Sequence, residues 1–148
     1  MFRVNRQTDY AIRVLLALAQ RGSGARASTS EIQREMIIPR SFAQRVIADL
    51  ARGSFILTFP GRDGGVMLAR PAREINLKQL LEFFENFRIT SDCQKEEISC
   101  PFMQSCPICP HWKRLQNVMT QELEQVNFEH LANSQPHLHT LAQLGISS

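Results

Sequence analysis

The sequence predicts a mainly α-helical fold with one small β-hairpin. Three features carry that expectation. Two amphipathic helical patterns meet at a tight turn before Pro39, a glycine-rich tip at Pro60–Gly65 separates two short apolar runs, and a long helical seam runs from Trp112 to Val126. Apolar spacings of three and four mark the helices, and short runs bounded by turn residues mark the strands. The length of 148 residues allows one compact core, or a small domain with an oligomerisation arm. A hydrophobic fraction of 43% is ordinary for a globular chain and argues against disorder.

The first helix is expected over Arg6–Gln20, where Ala11, Val14, Leu15 and Leu18 form one stripe, and Gly22–Gly24 ends it. Ser28 or Thr29 can cap a short second helix running to about Met36, with Glu31 in its first turn. Ile37–Ile38 is the turn. Pro39 stands at the first position of the third helix, where a missing N–H is tolerated, and the helix continues to Arg52 before Gly53. Its expected buried residues are Phe42, Val46, Ile47 and Leu50. Phe55–Phe59 reads as a strand, Pro60–Gly65 as a tip and Val66–Leu68 as the returning strand. Asn76 is placed to cap a fourth helix over Leu77–Asn86, with Leu77, Leu80, Leu81 and Phe84 on one face. A long helix follows from near Pro110. Trp112, Leu115, Met119, Leu123 and Val126 recur at spacings of 3, 4, 4 and 3, which suits either a partner helix or the chain's own core. Asn127 can cap a last helix to Ala132, and the remainder is polar.

A short helix, a tight turn, a second amphipathic helix and a glycine-rich hairpin together make a winged helix-turn-helix domain, expected over residues 1–76. Residues 77–132 then hold a cysteine segment and dimerisation helices, and residues 133–148 a polar tail. Charge divides along the same line. Residues 1–76 carry twelve Arg and no Lys against six acids, a surplus of six positive charges, whereas residues 77–148 carry five Lys or Arg against eight acids. A basic first half suits a polyanion such as double-stranded DNA. The candidate DNA-reading residues are Arg40, Ser41, Gln44 and Arg45 at the start of the third helix, and Arg62 and Gly64 in the wing. Arginine pairs bidentately with guanine and glutamine with adenine, while Arg45 can instead clamp a phosphate. Arg62 at the wing tip suits the negative potential of a narrow minor groove, and Gly61, Gly64 and Gly65 let the backbone approach the duplex.

All four cysteines fall within one stretch, Cys93, Cys100, Cys106 and Cys109, with a proline directly after each of the last three. Thiolates that serve one inorganic centre must converge in this way. Spacing alone leaves three readings open. An iron–sulfur cluster takes four thiolates, or three and another ligand. A structural zinc site usually has two C-x2-C pairs, and this chain has one, Cys106–Cys109. A redox-active dithiol is the third. His111 is a nearby candidate ligand, while His137 and His139 are too isolated to define a site.

Thr8-Asp9-Tyr10-Ala11-Ile12-Arg13, the run Gly61–Ala72 through the wing, and Cys93, Cys100 and Cys106 resemble the Rrf-two group of bacterial winged-helix regulators, which includes IscR, NsrR and RirA. The resemblance covers residues 1 to about 132. It implies a homodimer built on the long helix, an iron–sulfur cluster (4Fe–4S or 2Fe–2S, with zinc the alternative) and a palindromic promoter site, with DNA affinity responding to iron, nitric oxide or oxidants. Where IscR-like members place a histidine this chain has Cys109, and Asp9 stands where some NsrR-like members draw a ligand across the dimer. Pro60 replaces an arginine common before the wing glycine, which shifts weight to Arg62. Cys109 leads for the fourth ligand place, ahead of Asp9 and His111.

The composition also excludes classes. No apolar run approaches the ~20 residues that span a membrane. Asp9 and Arg13 spoil Ala11–Ala19 as a signal segment, so a cytoplasmic protein is expected. No nucleophile–base motif or phosphate loop is visible, and no helix follows Gly61–Gly65 as a nucleotide site requires, so no enzyme is expected.

Overall fold

The computed structural model describes residues 3–85, 100–102 and 104–134. In chain order they form α1 (Arg6–Gln20), α2 (Thr29–Glu35), α3 (Arg40–Arg52), β1 (Ile56–Phe59), β2 (Gly65–Leu68), a 3-10 turn at Ala72–Glu74, α4 (Leu77–Glu85), α5 (Cys109–Gln125) and α6 (Phe128–Ser134). The fold is a winged helix-turn-helix, as the spacings predicted.

Side chains three residues apart start most of these helices. The Thr8 N–H donates to Asn5 Oδ1 at 2.9 Å. At α2 a reciprocal capping box forms: Glu31 N–H donates to Ser28 Oγ at 3.1 Å and Ser28 N–H to Glu31 Oε2 at 2.9 Å. Asn76 Oδ1 accepts from Gln79 N–H at 3.0 Å, and Asn127 Oδ1 from His130 N–H at 2.8 Å. At α3 the expectation shifts by one residue. Pro39 is the cap rather than the first helical residue: its ψ of 138° is extended. Having no N–H, it serves the helix through its carbonyl, which accepts from Phe42 and Ala43 at 2.9 and 3.1 Å.

Val14, Leu15, Leu18, Ile32, Val46, Leu50 and Ile56 are at most 1% exposed and form the centre of the core. Phe42, expected inside, is half-buried and meets the Tyr10 ring edge-on at 5.1 Å. On α4, Leu80 and Leu81 are buried, whereas Leu77 and Phe84 are half-buried at the core margin. The described part of α4 ends at Glu85, and Asn86 lies outside the described residues.

The hairpin pairs Ile56 with Leu68 and Phe59 with Gly65. Both strands end where predicted, but β1 begins one residue later, at Ile56, and β2 one residue earlier, at Gly65. Phe55 precedes β1 and packs into the core, 3% exposed, while its carbonyl accepts from Ala69 N–H at 3.0 Å. A third segment extends this ladder: Ala27 and Val66 exchange both backbone hydrogen bonds, at 3.0 and 2.8 Å. The second half of the chain returns to the first by similar means. Leu77 N–H donates to Val126 O and Phe128 N–H to Ile75 O, both at 3.0 Å. These bonds set Phe128 fully inside the core, and α6 packs along α1. α6 extends two residues beyond the predicted Ala132, to Ser134.

Candidate nucleic-acid interface and cysteine segment

One face of α3 is committed to the core through Ala43, Val46, Ile47 and Leu50. The opposite face is thereby presented to solvent, and Arg40, Ser41, Gln44, Arg45 and Ala48 are all exposed. Ser41 and Gln44 are three apart and Arg40 and Gln44 four apart, so these side chains share a surface. Arg40 and Gln44 border a cleft of about 480 Å³ between α2 and α3, lined also by Thr29, Ser30, Gln33 and Arg34. The α2 contribution was missed from sequence. Its signal is the polar run around the single buried Ile32.

At the wing, Gly61, Arg62 and Asp63 are exposed. Gly61 has φ +96° and open space where a side chain would stand. Gly64 and Gly65 carry a packing requirement that composition did not disclose. A Cβ on Gly64 would lie 2.1 Å from Phe59 O, and one on Gly65 2.5 Å from Ala27 O, with Gly65 at φ +133°. Arg26, another residue missed from sequence, lies with its guanidinium carbon 3.7 Å from the centroid of the Phe59 ring.

Several arginines of the basic half are taken up by carboxylates. Arg13 pairs with Asp9 at 2.8 Å, Arg52 with Asp49 at 2.8 Å, and Arg21 with Glu35. Arg13 also donates from Nη1 to Met36 O at 3.1 Å, which links α1 to the helix-turn-helix turn. Asp49, 9% exposed, additionally accepts from Gln7 Nε2.

Of the predicted metal ligands, Cys93 lies outside the described residues, as do His137 and His139. Cys100 and Cys106 are half-buried. Cys109 is 5% exposed and is the first residue of α5, whose first turn also holds Pro110. No disulfide joins these three. Asp9 is engaged with Arg13, and His111 is exposed in the first turn of α5. Among the described residues no three His, Cys, Asp or Glu side chains converge closely enough to hold a metal ion. The donor chemistry nevertheless fits a thiolate-bound centre: three soft sulfur ligands within ten residues, one of them at a helix amino end that favours negative charge. Among the described residues no helix is long and apolar enough to cross a membrane.

Solved structures share this fold. CymR of B. subtilis, titled the global cysteine regulator of that organism, superposes with a TM-score of 0.73 at 15% identity, covering 92% of this chain and 100% of its own. IscR of T. potens superposes with a TM-score of 0.66 at 15% identity, covering 99% and 93%. The family that the sequence matches makes this helix-turn-helix and wing those of a DNA-binding transcriptional regulator and not of an enzyme. The chain belongs to the Rrf2 family, described as "Iron-dependent Transcriptional regulator", which its residues 4–134 match. It is similar to protein aau3 of Rhizobium meliloti, 29% identical over 143 residues, 96% of this chain and 92% of that one. It is also similar to the HTH-type transcriptional regulator NsrR of Oceanobacillus iheyensis, 28% identical over 144 residues and 97% of each chain.

Proposed function

We propose that this chain is a cytoplasmic, homodimeric repressor whose affinity for a palindromic double-stranded DNA operator is set by an iron–sulfur cluster. In this reading residues 1–76 are the DNA-binding domain, and residues 77–132 hold the cluster segment and dimerisation helices, followed by the tail at 133–148. The observation that carries it is the position of Cys109. This buried cysteine opens α5, the helix on which the apolar Leu115 and Val118 stand 43% and 49% exposed. A ligand to the centre is therefore also the first residue of the proposed dimer helix.

Cys93, Cys100, Cys106 and Cys109 would hold the cluster, with Asp9 and His111 the lesser candidates for the fourth place. Such a cluster, 4Fe–4S or 2Fe–2S, supplies iron that responds to redox state, nitric oxide and iron supply, which zinc, being redox-silent, does not. The chain's own contacts lead from that segment to the DNA-reading face. α5 is tied to α4 by Lys78 and Glu124, 2.5 Å apart, and the Glu124 hydrogen bond lifts the Lys78 ammonium above its ordinary range. α4 holds the start of α1 through Glu85, and α1 reaches α3 through Gln7 and Asp49. In the dimer the two α3 helices must enter successive major grooves about 34 Å apart. Ligating or releasing the thiols therefore alters their placement. Arg40, Ser41, Gln44 and Arg45 face the major groove and Arg62, with Gly64 shaping its turn, the minor groove.

The competing reading is a zinc-stabilised module without a sensing role. Purification without oxygen, followed by visible absorbance and metal analysis, separates the two. A coloured protein with iron and sulfide is expected, and a colourless protein loaded with zinc would defeat the cluster reading.

A further inference from the structure

Arg26 stands in an unusual setting for a surface arginine. It is exposed, and no hydrogen bond or ion pair with any described residue engages its guanidinium. Among the described residues its guanidinium meets the Phe59 ring, 3.7 Å from the guanidinium carbon to the ring centroid. The backbone fixes this arrangement. Ala27, the next residue, is bonded in both directions to Val66 of β2. Phe59 is the last residue of β1 and faces Gly65 across the ladder. Gly65 has no side chain, and its backbone lies so close to Ala27 that a Cβ there would stand 2.5 Å from Ala27 O. Arg62 follows Phe59 by three residues, at the exposed tip.

A guanidinium resting on an aromatic face keeps its in-plane N–H donors directed outward. Those donors match the oxygens of a phosphate, and the side-chain freedom lost on binding is already reduced by the stack. We infer that Arg26, held by Phe59, is a second DNA-contacting cation of the wing, gripping a backbone phosphate beside the groove entered by Arg62. This assignment rests on the DNA-binding reading of the fold. It gives the wing two contacts of different kind: Arg62 senses groove shape, and Arg26 adds sequence-independent affinity.

The test uses the full chain and two labelled duplexes of equal length. One is selected by the wild-type protein from a randomised pool, and the other is unrelated in sequence. Binding is titrated from ~50 to ~200 mM salt. For Arg26→Ala the salt slope should fall by about one unit on both duplexes, so that the wild-type advantage shrinks roughly threefold across that range. Arg26→Lys should keep the slope. Phe59→Leu should also keep the slope while weakening binding a few-fold, because the charge remains but its support is gone. Arg73→Ala, on the exposed 3-10 turn, is the charge-loss control and should change neither quantity. Unchanged affinity and slope in Arg26→Ala, whether or not its melting temperature falls, would make the stack purely structural and overturn the assignment. If Arg26→Ala does not fold, Arg26→Gln takes its place with the same expected slope. A wild-type chain that enriches no duplex from the pool would instead remove the DNA-binding reading, and this inference with it.

Discussion

Glu85 closes α4 by gripping the start of α1 through Thr8: the Thr8 hydroxyl donates to Glu85 Oε1 at 2.6 Å, and the Asn5 N–H donates to the same oxygen at 2.8 Å. Thr8 is fully buried. The carboxylate also sits at the amino end of α1, where the helix dipole favours negative charge. Replacing Glu85 by Ala leaves the buried Thr8 hydroxyl only its longer bond to Asn5 Oδ1, 3.2 Å, and removes a charged acceptor, so a loss of about 2 kcal/mol is expected. For a chain of this size that is a melting temperature lower by roughly 4–8 °C. Glu85→Gln keeps an oxygen acceptor and should lose about half as much. A double-mutant cycle with Thr8→Val measures the pair directly, and a coupling indistinguishable from zero would show that the contact contributes nothing.

Glu31 provides a pH-dependent readout of the α2 cap. The Ser28 N–H donating to its carboxylate holds Glu31 below its ordinary value of 4.5. A carboxyl depressed in the folded state stabilises the fold fully above the unfolded value and stops doing so as pH falls through the folded one. The gap in melting temperature between wild type and Glu31→Gln should thus be full at pH 6–7, narrow below about 4.5, and close at lower pH. A gap that stays constant from neutral pH downward would mean the charge plays no part. Ser28→Ala, which removes the other half of the box, should cost about 1 kcal/mol.

Ile37 occupies the turn between α2 and α3 with φ +53° and is 71% exposed. A β-branched residue in the left-handed region is strained by about 1–2 kcal/mol, and its exposed side chain recovers little of that through packing. Asparagine tolerates this conformation better. Ile37→Asn should therefore stabilise the chain by about 1 kcal/mol, seen as a higher urea midpoint at unchanged slope. A lower midpoint would show that the Ile37 side chain makes a contact worth more than the strain.

The contrast between what was and was not legible follows the range of the interactions. Ser28, Asn76 and Asn127 start their helices as predicted because each bonds to the residue three ahead, a local pattern visible in the chain. The exposed face of α3 was legible for the same reason, since its apolar stripe fixes what lies opposite. The bridge of Ala27 to Val66, the zipper around Asn76 and Asn127 that buries Phe128, and the Arg26–Phe59 stack all join distant segments. No local periodicity encodes such pairings. Gly64 and Gly65 were singled out for letting the wing backbone approach a duplex, whereas the crowding at Phe59 O and Ala27 O depends on tertiary approach. For the cysteines, residue type and spacing conveyed the donor chemistry. Their arrangement was not legible in the same way, and Cys93 lies outside the described residues.

The exposed apolar side chains of α5 give the proposed dimer its own test. Leu115 and Val118 are three apart, 43% and 49% exposed, while the same helix is fastened to α4 by the Lys78–Glu124 pair. Leu115→Glu with Val118→Glu removes no core side chain, so each chain should still fold, but it places carboxylates on the face proposed to receive a second copy. Light scattering at micromolar concentration should then give half the wild-type mass, and the melting temperature should stop rising with concentration. Operator affinity should fall by at least about 100-fold, because a monomer engages one half-site and forfeits the gain from linked binding. Asn117→Glu, on the opposite side of α5, adds a carboxylate without touching the seam and should leave the mass unchanged. A double variant that keeps the wild-type mass would move the dimer contact away from α5. A wild-type chain that is itself monomeric at that concentration would withdraw the homodimer.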